Sequence, residues 1–139
     1  MTTAREIMNS GIKSIREDQT LAEAAVLMRD LDVGSLPVQS ADGALKGIIT
    51  DRDIVVRACA EGRDLAATPA GELAQGIVST IGPDEPVETI VDLMGTQQVK
   101  RMPVVDNGEV VGMISESDLA RNVAEDQIHH FVTMVYGRN

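Results

Sequence analysis

Two four-residue stretches hold the side chains best placed to do chemistry: Thr50-Asp51-Arg52-Asp53 and Ser115-Glu116-Ser117-Asp118. Each follows an apolar, β-rich run and leads into an apolar stretch at helical spacing. A hydroxyl followed three residues later by an acid is the pattern of a capping box, in which side chains and first-turn amides satisfy each other. That reading is purely structural. A second reading is binding. A helix that starts at a strand's end favours an anion, the hydroxyl and free N–H groups can face a phosphate, and an aspartate can accept two bonds from a ribose diol. The basic residues are distributed unequally. Lys100 and Arg101 precede the second hairpin, where the first has Gly34 and Ser35, while Arg52 in the first pattern is replaced by Ser117 in the second.

Other reactive types carry less. His129 and His130 follow Glu125 and Asp126, but adjacent residues on a helix point about 100° apart, so a solvated face is expected and no metal site. Cys59 sits between Ala58 and Ala60 with no histidine near it in sequence, and is expected as a small buried hydrophobe. A lone cysteine allows no intrachain disulfide. The glycines have neither Walker nor Rossmann spacing, and no paired-carboxylate or Ser-His-Asp set stands out, so catalysis is not expected.

The elements that position these residues come in two copies. Leu21–Val38 lies over Val87–Val104 without a gap, bringing Met28 onto Met94, Val33 onto Val99 and Pro37 onto Pro103. Beyond the prolines, "LKGIITDRDI" lies over "VVGMISESDL" with one residue fewer in the turn, and upstream "REIMNSGIKSI" over "GELAQGIVSTI". Each copy spans about 55–60 residues. The boundaries expected are 4–62 for the first repeat, 63–69 for a linker, 70–124 for the second repeat and 125–139 for a helical tail. Each repeat opens with a short helical turn, capped by Thr3 with Glu6 or by Thr68-Pro69. An extended piece follows, at Gly11–Ile15 or Ile77–Ile81. Leu21, Ala24, Ala25, Met28 and Leu31, and likewise Val87, Ile90, Val91 and Met94, then recur at helical spacing. A hairpin closes each unit. Asn107-Gly108 is a strong turn because both central residues need positive φ, and Asp42-Gly43 marks a looser one. A last helix begins at Asp53 or Asp118. The fold class is α/β: two tandem β-α-β-β-α repeats packed about a pseudo-twofold axis.

This grammar, with "LPV" and "MPV" opening one strand and "GIITDRD" and "GMISESD" closing the next, resembles tandem cystathionine-β-synthase (CBS) domains, the Bateman module. The resemblance covers about residues 4 to 130, and it rests on two copies in order more than on either motif alone. It implies a regulatory pair that binds an adenine nucleotide (AMP, ADP or ATP) or another adenosyl compound between its repeats. The strand-end residues Thr50 and Asp53, and Ser115 and Asp118, would meet ribose and phosphate, with Arg52, Lys100 and Arg101 as phosphate contacts. Adenine would lie against Ile12, Val33 and Gly34 in one cleft and against Ile77 and Val99 in the other. The basic residues favour one better anion site over two equal ones. CBS pairs also imply a homodimer signalling through a further, unknown protein. A ligand-free, stress-related scaffold is the alternative.

Composition sets the outer limits. With 22 acidic against 12 basic residues the net charge is −10, and there is one Phe, one Tyr and no Trp, so nucleic acid is not an expected partner. A hydrophobic fraction of 43% suffices for an aliphatic core. No apolar run reaches the roughly 18–20 residues of a membrane span, and the N-terminus lacks a signal-peptide pattern, so a cytoplasmic protein is expected. The tail places Ile128, Phe131, Val132 and Val135 in one helical stripe ahead of Gly137. That stripe can fold onto its own core or onto a second subunit.

Overall fold

The computed structural model describes residues 1–76, 79–123 and 125–137. The chain divides into two compact units, one of Met1–Ile12 with Ser79–Asn139 and one of Lys13–Val78.

In the Lys13–Val78 unit, β1 (Ile15–Arg16) is followed by α2 (Leu21–Leu31), β2 (Ser35–Gln39) and β3 (Leu45–Thr50), after a first helix, α1 (Ala4–Ile7), that belongs to the other unit. A turn of helix, α3 (Asp51–Asp53), continues into six residues of π-helix, Ile54–Cys59, and the unit ends with β4 (Gln75–Gly76). The sheet order is β1-β2-β3-β4, with β1 parallel to β2 and the other pairs antiparallel. The apolar stripe of α2 buries Leu21, Ala24 and Met28 against Leu36, Val38 and Ile49 of the sheet.

The other unit repeats the plan with α4 (Val87–Gln97), β5 (Arg101–Asp106), β6 (Glu109–Ser115) and α5 (Glu116–Asn122), then adds α6 (Glu125–Tyr136). The two hairpins match closely. Ser35 pairs with Thr50 and Arg101 with Ser115, and the register slips after Val38 in one and after Val104 in the other. Helices α2 and α4 both end on a left-handed residue, Asp32 (φ 55°) and Gln98 (φ 57°). Asn107 (φ 52°) and Gly108 (φ 81°) adopt the twin positive angles of a two-residue hairpin turn.

The upstream segments change places. The N–H groups of Ala4 and Arg5 donate to the carbonyls of Glu85 and Pro83, and Asn9 bridges Met113 of β6. Ala70 and Gly71 instead donate to Gln19 and Glu17, and β4 pairs with β3. Accordingly Ala4 is buried in one core, with Ile90, Met94 and Ile114, and Ala70 in the other, with Leu21 and Leu36. The segment that opens each sequence repeat therefore completes the core built by the other repeat.

Several local expectations are corrected. Thr3 makes no backbone cap, and its hydroxyl goes instead to the Glu6 carboxylate at 3.3 Å. Thr68 is buried and donates to the Asp64 carbonyl, leaving Pro69 as an uncapped helix start. The segment after Asp53 is π-helical, with the Ala60 N–H reaching the Val55 carbonyl at 2.9 Å, and Cys59 is exposed on it. The tail folds back. Phe131 is 1% exposed and Val135 is buried in the same core as Ile90 and Met94, with Ile128 packed beside them, while Val132 lies exposed. Gly95 of α4 gives this helix its close approach, since a Cβ there would stand 3.1 Å from the Met134 sulfur.

Candidate functional site

At the end of β3, Asp53 donates its N–H to Thr50 Oγ1 at 3.1 Å, and Thr50 donates its own to Asp53 Oδ2 at 2.9 Å. At the end of β6, Asp118 N–H reaches Ser115 Oγ at 3.4 Å and Ser115 N–H reaches Asp118 Oδ2 at 2.9 Å. Both capping boxes are thus complete. Both carboxylates are buried, Asp53 at 4% and Asp118 at 8% exposure. Such burial is tolerable because each oxygen meets a donor. The second oxygen faces an arginine one turn on: Arg57 Nη1 lies 3.7 Å from Asp53 Oδ1, and Arg121 Nη2 bonds Asp118 Oδ1. Arg57 also donates to the Leu73 carbonyl, at 2.9 Å. Sequence reading passed over these arginines, although their spacing of one helical turn from the aspartates was a usable signal.

The residues ahead of each hairpin are tied to the same helix starts. Gly34 and Lys100 accept from the N–H of Asp51 and Glu116, at 3.0 and 2.9 Å. In the second repeat this brings together Lys100, Arg101, which pairs with Ser115 across the sheet, and Asp118. Ser117 adds a hydroxyl 2.8 Å from that of Ser115. In the first repeat Arg52 is exposed and its N–H is held by the Asp51 carboxylate.

Tyr136 joins the second group, which the sequence did not suggest. Its hydroxyl donates to Glu116 Oε2, and the Lys100 ammonium stands 4.8 Å from its ring centroid. The bond to Glu116 raises the phenol to about 12, with burial and the Glu116 charge adding to the shift and Arg101 opposing it.

The apolar positions expected around a base are distributed between the two units. Val33 and Gly34 lie half-buried in the Lys13–Val78 unit, Ile12 and Val99 belong to the other, and Ile77 lies outside the described residues. His129 and His130 are exposed on α6, and the Asp126 side chain is outside the described set.

Sheet, hairpin register and repeated cap define a duplicated α/β module. Residues 4–58 and 70–125 each match the CBS domain, and the chain belongs to the CBS-domain family as a tandem pair. It is 39% identical over 135 residues to hypoxic response protein 1 of Mycobacterium tuberculosis, which covers 97% of this chain and 94% of that protein. The crystal structure of Hypoxic Response Protein I with two coordinated zinc ions matches at 39% identity and a TM-score of 0.78, over 88% of this chain and 100% of that one. A CBS domain pair, protein MJ0100, solved in complex with 5′-methylthioadenosine and S-adenosyl-L-methionine, matches at 28% identity and a TM-score of 0.77, over 87% of this chain and 94% of that one. Among the described residues no three His, Cys, Asp or Glu side chains converge as a cage, whereas a closed zinc site takes four donors.

Proposed function

We propose that this CBS pair is a non-catalytic, cytoplasmic regulatory module that binds an adenine nucleotide or another adenosyl compound and, as a homodimer, passes occupancy to a partner protein. The observation that carries the reading is the likeness to a CBS pair solved with two adenosyl ligands. The chemistry of the second repeat agrees with it. Lys100 and Arg101 supply charge for a phosphate beside the hydroxyls of Ser115 and Ser117. Asp118 retains acceptor capacity for a ribose hydroxyl, because a carboxylate offers about four lone-pair directions and cap and arginine do not fill them. In the first repeat Thr50, Arg52 and Asp53 form the poorer site, lacking a basic pair ahead of the hairpin.

A second reading, a ligand-free interaction scaffold, draws support from the same caps. Both aspartates already have intramolecular partners, so neither requires a ligand.

Titration calorimetry separates the two. Wild type should bind AMP, and Asp118→Ala should weaken it about tenfold or more, since bonds to a charged group contribute about 1.5–3 kcal/mol. Arg101→Ala should weaken AMP strongly and adenosine little, because only the phosphate contact is lost. Because Asp118→Ala also removes a cap, melting without ligand must be measured alongside. No binding by wild type to AMP, ATP or S-adenosylmethionine at millimolar concentration would hand the case to the scaffold.

A further inference from the structure

In the second repeat the backbone sets a carboxylate beside two cations. Lys100 accepts the Glu116 N–H at its carbonyl, at 2.9 Å, and Arg101 pairs with Ser115 across the hairpin. Among the described residues, however, the ion pairs involve neither Glu116, Lys100 nor Arg101. Tyr136, the last residue of α6, stands between acid and base. Its hydroxyl donates to Glu116 Oε2 at 2.5 Å, and the Lys100 ammonium lies 4.8 Å from its ring centroid. A charge-assisted bond and a cation–π contact thus take the place of an ion pair.

The first repeat shows what the acid does without a tyrosine. Asp51 occupies the position of Glu116, and Gly34 that of Lys100. There the carboxylate turns back over the residue ahead of the hairpin: a Cβ on Gly34 would stand 3.2 Å from Asp51 Oδ2. No helix like α6 follows, since the π-helix ending at Cys59 leads to a short turn at Ala70–Glu72 and then β4. Glu116 is one methylene longer than Asp51, so once released from the phenol it would reach the Lys100 ammonium. We infer that Tyr136 is a positioning residue for the phosphate end of the second repeat, holding Glu116 off Lys100 so that the ammonium can meet an anion. The inference rests on the proposal that an adenine nucleotide binds this repeat. An incoming phosphate then meets a cation that has no carboxylate to give up.

Tyr136→Phe keeps the ring and removes only the hydroxyl, and AMP and adenosine are the probes in titration calorimetry. The variant should bind AMP about fivefold more weakly or worse, the size of an exposed ion pair that the phosphate must break. Adenosine, which has no phosphate, should bind as it does to wild type. Adding Glu116→Gln to Tyr136→Phe should bring AMP affinity back to within about twofold of wild type, because an amide cannot pair with Lys100. A purely structural role for Tyr136 in docking α6 would not be rescued in this way. Melting of each protein without ligand checks that the fold is kept. If wild type binds AMP but Tyr136→Phe binds it equally well, the inference fails and the proposed function stands. The same holds if the variant weakens AMP and adenosine alike, or if the double variant recovers nothing. If wild type binds no AMP, the inference and the reading beneath it fall together.

Discussion

Asp118 and Asp53 each accept a strand-end amide and face an arginine with one carboxylate, while their own N–H groups donate to the cap hydroxyls. Such local arrangements are legible in sequence, because a hydroxyl-x-x-Asp cap needs only residues three apart. Side-chain burial is less legible. Cys59 was read as buried from its alanine neighbours, but the π-helix carries it past the inward face occupied by Ile54 and Ala58. Tyr136 was beyond reach, since its partner Glu116 is distant in sequence and nothing local links them. The contact makes a prediction. Tyr136 is the chain's single tyrosine and tryptophan is absent, so phenolate absorbance reports one group. Its midpoint should lie near 12. An ordinary phenol ionises near 10, so the folded value is raised and the neutral form is the one the fold favours. The stability it contributes is fully present below about pH 10 and is lost as pH rises through about 12. Glu116→Gln removes the charge and should move the midpoint down toward 10; a wild-type midpoint already at 10, in protein still folded by circular dichroism, would show that the Glu116 bond does not form.

At the scale of elements, what spacing encodes was legible and what partners decide was not. The apolar stripes of α2 and α4 and the Asn107-Gly108 turn follow from periodicity and from required φ angles, and all appear at the expected residues. The exchange of opening segments has no such signature, because the amphipathic pattern of α1 says only that it buries Ala4 and Ile7, not against which core. The tail posed the same problem, and the structure resolves it inward: Phe131 and Val135 pack with Met94 and Ile90, and Gln98 Nε2 bonds the Met134 carbonyl at 3.0 Å. Phe131→Ala should therefore cost about 3–5 kcal/mol of stability, the usual range for emptying a buried aromatic site. Urea denaturation read through Tyr136 fluorescence measures it. Sedimentation of the same variant at low micromolar concentration should give an unchanged mass, because the Phe131 side chain is spent on its own unit; a loss of mass with little loss of stability would place the stripe at a subunit interface instead.

For the whole molecule the governing number is the charge. Duplex DNA is held mainly by Lys and Arg that displace counterions from phosphates, and a protein at −10 starts from repulsion. A small anion is a different case. Its reach is short, and at about 150 mM salt charges beyond about 8 Å are screened, so a nucleotide beside Lys100 and Arg101 would respond to those two residues more than to the distant carboxylates. DNA has no such escape, because a duplex spans many phosphates and would have to lie across acidic surface, including Glu116 beside the basic pair. The protein should therefore give no gel shift with duplex DNA at about 150 mM salt, and lowering the salt to about 50 mM should not produce one, since weaker screening lengthens the repulsion. A shift that appears at low salt and fades as salt rises would mean that basic residues gather into a surface the net charge conceals.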